Sequence, residues 1–218
     1  MADPRLFRLR VVFRKTGRLC MLSHLEIARA LERAVRRAKL PFAVSQGFSP
    51  HMRIAFGAAL PVGVGGTAEY FDLFLERYIA PDKALAALQD ASADDLAPSS
   101  CSYVDHRAPA ASVAFPISAY EAELNCDVER LIVPDSVTVV RKKKEKTLAV
   151  SEFLCGDVEV SGSFVRFELE AKPTGSLRPD VLLAACVKET VDAGAAPRDL
   201  RVVTTMRVGQ RTVDGEML

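Results

Sequence analysis

The stretch from Ser23 to Pro41 leaves the chain the least freedom. Ser23 followed three residues later by Glu26 is a capping box, in which each side chain satisfies a backbone N–H that the first helical turn leaves open. The residues that follow keep helical period up to Lys39, and Pro41 cannot continue a helix because it lacks an N–H and its ring clashes with the preceding turn. The spacing predicts a helix from about His24 to Lys39. At 100° per residue, Ile27, Leu31, Ala34, Val35 and Ala38 fall on one side, and Arg29, Arg33, Arg36 and Arg37 fall on the other. A helix of this kind must lay its apolar side on a sheet or another helix, so its arginines face outward together.

The flanking segments supply the sheet. Residues 5–13, RLFRLRVVF, alternate at the period of a half-buried strand, with Arg8 and Arg10 on its outer face. Residues 42–58 read as a strand, a loop around Gly47 to His51 and a second strand. PVGVGG at 61–66 reads as a flexible turn, since it lacks both the GxGxxG order and a following helix, and a strand begins near Tyr70 or Phe71. PDKALAALQDAS at 81–92 starts with a helix-initiating Pro, and residues 96–106 close the pattern with a strand. Strand, helix, strand, strand, helix, strand is the ferredoxin-like order of an α+β fold.

APAASVAFP at 108–116 reads as a linker, which divides the chain into domains 1–107 and 117–218. In the second, strands are expected at 119–125, 136–142, 163–171 and 199–208, with a Pro-started, Gly-ended helix at 178–194. The expectation is two tandem ferredoxin-like (βαββαβ) domains. The second is degenerate, its first helix reduced to DVERL at 127–131, and residues 145–162 carry no clear signal.

Charge gives the first hint of function. Residues 1–60 hold 12 Lys/Arg against 3 Asp/Glu, and residues 61–130 hold 4 against 12, although the whole chain nets only +1. A basic N-terminal third suggests a footprint for nucleic acid or another polyanion, unless the two regions neutralise each other in the fold. The five cysteines are widely spaced and odd in number, which fits neither a zinc site nor a disulfide framework and implies no metal or cofactor held by this chain. Iron–sulfur chemistry would have to come from another chain. No apolar run reaches membrane-spanning length and MADPRLFRLR is no signal peptide, so a cytoplasmic protein without a membrane partner is expected.

Two constellations carry the binding expectation. Arg29, Arg33, Arg36 and Arg37 offer planar donors suited to phosphate. In the loop SQGFSPH at 45–51, Gly47 allows a close backbone approach, Ser45, Gln46 and Ser49 offer polar contacts, Phe48 a stacking ring, and His51 and Arg53 follow. Lys15, Ser23 and His24 complete the expected RNA- or anion-binding set. His24 and His51 form the candidate catalytic pair of an alternative reading, in which they flank one sheet edge and act as general acid and base. The lysine run RKKKEK at 141–146 is expected at an exposed hairpin tip.

The strings FRKTGRLCMLSHLEIARALERAVRRAKLP, SQGFSPHMRIAFGAALPVG and AEYFDL resemble the radical-SAM-associated, or radical-SAM-linked, domain family of unknown function. The resemblance is strongest from Arg8 to Leu75 and weaker at 175–185. Lys15, Gly17, Ser23, His24, Arg29, Arg36, Arg37, Ser45, Gly47, Phe48, Pro50, His51 and Glu69 occupy its recurrent positions, while Met52 departs from the usual Pro. The resemblance implies a standalone partner of a radical SAM enzyme on a separate chain. Three functions follow as expectations: a non-catalytic accessory protein that binds RNA (tRNA or rRNA), a metal-independent endoribonuclease, or a protein-interaction adaptor. The tandem arrangement is also similar to that of the CRISPR repeat-processing endoribonucleases, which makes RNA the first ligand to test.

Overall fold

The structure, a computed structural model, describes residues 6–141 and 144–215. The chain is mixed α+β, built from antiparallel strands and few helices, and divides into two compact units between Ala114 and Phe115.

In the first unit, β1 (Phe7–Lys15) leads through a 3-10 turn into α1 (His24–Arg37). There follow β2 (Ile54–Phe56), β3 (Gly65–Leu75), α2 (Pro81–Asp90), β4 (Pro98–Tyr103) and the short α3 (Ala111–Ala114). The strands lie in the order β4-β1-β3-β2, every neighbour antiparallel. Register pairs Leu9 with Leu73 and Val11 with Phe71, so these side chains share one face. That face packs against Ile27, Leu31 and Val35 of α1 and Ala84 and Leu88 of α2. Burial of each Ile, Leu or Val side chain contributes about 1.5–3 kcal/mol, which is what holds α1 on the sheet.

The capping box of α1 forms as expected: the Glu26 carboxylate accepts from Ser23 N at 2.9 Å and from the Ser23 hydroxyl at 2.7 Å, and Ser23 Oγ accepts from Glu26 N. The helix ends at Arg37, two residues earlier than the periodicity suggested, because Lys39 takes the left-handed φ of 53° that terminates a helix ahead of Pro41. Of the glycines expected in a flexible turn, Gly63 is in one, with φ 88°, whereas β3 starts at Gly65 and buries Gly65 and Gly66.

Arg8 and Arg10 are not on an exposed face. Both are 6% exposed and enclose Asp72, which is fully buried. Arg8 Nε and Nη2 donate to Asp72 Oδ2 at 3.0 and 2.6 Å, and Arg10 Nε donates to Oδ1 at 2.7 Å. Arg8 also donates to the carbonyls of Ala108 and Pro109. The alternation of β1 is real, but its polar side is covered, so strand period alone assigned the wrong environment. The segment expected as a linker is correspondingly anchored: two of its carbonyls bind Arg8 and its residues 111–114 form a helical turn with Ala111 buried.

The second unit holds β5 (Ile117–Leu124), β6 (Ser136–Arg141), β7 (Lys144–Ala149), β8 (Leu154–Ser161), β9 (Phe164–Glu170), α4 (Pro179–Asp192) and β10 (Val202–Arg211). Its main strands are ordered β10-β5-β9-β8, again antiparallel, and β6 and β7 form a separate hairpin. DVERL is not helical. The chain beyond it is tied to α4, where Thr190 Oγ1 accepts from Ile132 N at 2.9 Å. Of the lysine run, Arg141 ends β6 and pairs with Lys144 at the start of β7, while Lys142 and Lys143 lie outside the described residues.

Candidate nucleic-acid interface

Helix α1 buries Ile27, Leu31, Ala34 and Val35 and leaves Arg29, Arg33 and Arg36 exposed on the opposite side. None of these three is in an ion pair among the described residues. From Arg29 to Arg36 the row covers about 10 Å of helix axis. Arg36 sets its guanidinium 5.4 Å from the ring centroid of Phe42, which fixes its direction towards the chain after the helix. Arg37 leaves the row: its Nε donates to the Ala91 carbonyl at 3.1 Å and its Nη2 donates to the same oxygen, a cation at the C-terminal end of α2. The arginine row is thus Arg29, Arg33 and Arg36.

The SQGFSPH loop is the tip of a short hairpin. Val44 bridges Met52, Ser45 N donates to the His51 carbonyl at 2.8 Å, and His51 N donates to Ser45 Oγ at 3.0 Å. Gly47 has φ 130°, a region that side chains rarely adopt, and it turns the tip. Phe48 beyond it is completely exposed, with Gln46 and Ser49 beside it. An aromatic ring held clear of the protein leaves its apolar surface available for a partner to cover. The Ser45 hydroxyl, expected to cradle an anion, instead accepts from His51 N. Arg53 anchors the hairpin base, its guanidinium 5.0 Å from the centroid of Phe74.

Lys15 and His24 belong to a different place. Lys15 is 2% exposed and its Nζ donates to the Val64 carbonyl at 3.1 Å, so it does not reach a surface phosphate. It lines a small cavity with His24, Glu69, Tyr70, Phe13 and Phe56. The His24 ring stands edge-on to Phe56 at 5.4 Å, positioned by the capped first turn of α1. Ser23 is occupied by that cap. A Cβ on Gly66 would lie 2.4 Å from Glu69 Oε1, so only glycine leaves room for this carboxylate. Glu69 has no role of its own in the sequence pattern, because the register slip between Phe13 and Lys15 hides which β3 residues share the Lys15 side.

The two histidines do flank one edge strand, at opposite ends. His24 abuts Phe56, the last residue of β2, whereas His51 precedes its first, Ile54, by three residues, and about 16 Å of extended chain separates His51 from Phe56. They do not form a pair around one bond. Helix α1 runs between the two places, with His24 at its start and Arg36 leaning to Phe42 at its end.

Burial raises the Cys20 thiol above its ordinary range, and the Ser23 hydroxyl and N–H hold the Glu26 carboxyl below the ordinary glutamate range. Among the described residues no three His, Cys, Asp or Glu side chains converge as metal ligands would, and no helix is long and apolar enough to cross a membrane. No curated protein matches this chain. A family model described as an uncharacterized protein conserved in bacteria, DUF2344, matches residues 8–179. That match spans well over half of the sequence, and the chain belongs to the DUF2344 family.

Proposed function

We propose that this protein is a non-catalytic accessory that binds RNA, tRNA or rRNA, through the Arg29–Arg33–Arg36 row and the Phe48 hairpin, beside a radical SAM enzyme on a separate chain. The single observation that carries the RNA reading is the row itself: three exposed arginines on one helix face, none of them in an ion pair among the described residues. Phosphate offers each guanidinium the bidentate partner it lacks. The partner enzyme is supported by the sequence strings from Phe13 to Leu73. The strand orders β4-β1-β3-β2 and β10-β5-β9-β8 support reading both units as ferredoxin-like, the β6–β7 hairpin standing where the second unit's first helix would be.

Fluorescence anisotropy with labelled RNA tests the reading. Replacing Arg29, Arg33 and Arg36 together with Ala should weaken binding by about ten- to a hundredfold at moderate salt, with the thermal unfolding curve retained. Unchanged affinity removes the row from the interface. Binding that is absent throughout, with a radical SAM enzyme still co-purifying after nuclease treatment, would favour the adaptor function.

One observation favours a second reading. Lys15, His24, Glu69 and Tyr70 line one cavity, a set able to hold and move protons. RNA cleavage in the presence of EDTA that is lost in His24→Ala would establish metal-independent ribonuclease activity. Intact RNA argues for the accessory role.

A further inference from the structure

In the second unit the sheet β10-β5-β9-β8 has one buried side and one open side. Alternation puts Tyr120, Ala122 and Leu124 of β5 and Val165, Phe167 and Leu169 of β9 on the buried side. Register sets the residues between them on the other: Glu121 lies across from Arg166, Arg166 across from Glu159 of β8, and Phe164 between Glu123 and Ser161. Glu159, Ser161, Phe164 and Arg166 are exposed there, Phe164 by 60%.

A hollow of about 430 Å³ on this side is lined by Glu121, Glu159, Ser161, Phe164 and Arg166, among others. A second, of about 380 Å³, shares Glu121, Glu159 and Arg166 with it and adds Asp157 and Glu168, so the two form one trough. Its charge is lopsided. The only cation in the lining, Arg166, is already engaged, its Nε donating to Glu121 Oε1 at 2.8 Å. Glu168 accepts from Arg211 Nη2 at 2.6 Å. Asp157 and Glu159 are in no ion pair among the described residues. The Cys155 thiol, also in the lining, registers the negative surroundings: burial raises it first, and the Glu170 and Glu168 carboxylates push it further up.

Such a surface repels phosphate and attracts cations, and Phe164 narrows which cation. Glu159 is opposite Arg166, and Phe164 is two residues from Arg166 on the same strand side, so Phe164 and Glu159 are diagonal neighbours about 7–8 Å apart. One planar guanidinium spans that gap, lying on the ring while it bonds the carboxylate. An ammonium is a compact, strongly hydrated point charge and does not satisfy both at once.

We propose that this trough docks a basic, arginine-containing segment of a partner protein, one guanidinium seating between the Phe164 ring and the Glu159 carboxylate. The inference is independent of the RNA reading, which concerns the first unit.

The full chain is titrated with a labelled peptide that alternates arginine and glycine, and with its counterpart carrying lysine for arginine. At moderate salt the arginine peptide should bind at least about fivefold tighter than the lysine peptide. Phe164→Ala and Glu159→Gln should each weaken it by about fivefold. Both side chains are exposed, so neither change disturbs the buried side of the sheet. Glu189→Gln removes the same charge from the exposed side of α4, outside the trough, and should leave the affinity within about twofold. Equal binding of the two peptides, or equal losses in Glu159→Gln and Glu189→Gln, would reduce the effect to overall charge and overturns the proposal. Absence of peptide binding, or binding untouched by both trough variants, overturns it as well. Loss of RNA binding in Phe164→Ala with peptide binding unchanged would assign this side to nucleic acid instead.

Discussion

Asp72 is the residue on which the first unit's charge balance turns. It is fully buried and accepts from two guanidiniums that are themselves 6% exposed. Removing one partner of a buried ionic cluster leaves uncompensated charge in a medium that solvates it poorly, so Asp72→Ala should cost about 3–5 kcal/mol in urea unfolding. At the start of α1 the Glu26 carboxyl is held low by the Ser23 hydroxyl and then by the Ser23 N–H. A lowered folded-state value means a contribution present above the unfolded-state value and lost as pH falls through the folded one. Glu26→Gln should therefore lower thermal stability at neutral pH and flatten its decline on acidification, and Ser23→Ala should cost about 1 kcal/mol. Burial lifts the Cys186 thiol to about 11. At pH 8 it should resist alkylation until the protein unfolds, whereas fast labelling of Cys186 in the native state would contradict its placement on the buried side of α4.

Among the elements, α1 was the most legible from sequence, because every signal that defines it is local: a cap, a period and a proline. Its apolar face matched the core with no correction beyond the last two residues. The arginines were legible only as a group. That Arg37 turns aside to the end of α2 depends on a helix more than fifty residues away. Strand β1 misled for a related reason, since alternation tells which residues share a side and is silent on what covers it. Whether Arg8 and Arg10 meet water depends on Asp72 and on the carbonyls at 108–109. β3 hid its start in PVGVGG, because glycine looks like a turn until a neighbouring side chain requires it. Gly66→Ala makes that requirement measurable. With Glu69 only 6% exposed, the added methyl should destabilise by about 1–3 kcal/mol. A neutral outcome would mean the carboxylate has room elsewhere.

On the scale of the whole molecule, the charge asymmetry of the sequence resolves into two parts. Arg8 and Arg10 both pair with Asp72 of the acidic stretch, while Arg14 donates to the backbone carbonyl of Asp94 and the Thr16 hydroxyl donates to the Asp95 carboxylate. Arg29, Arg33 and Arg36 belong to the outward part, and the proposed function depends on them. The most direct measurement is the salt dependence of RNA affinity for the wild-type chain and the Arg29→Ala/Arg33→Ala/Arg36→Ala variant, between about 50 and 200 mM salt. Each phosphate contact on a single strand contributes about −0.7 to the slope of log affinity against log salt. The wild type should lose affinity steeply, and the variant's slope should be shallower by about 2. Affinity indifferent to salt, or the same slope in both proteins, would contradict the assignment of this face to RNA.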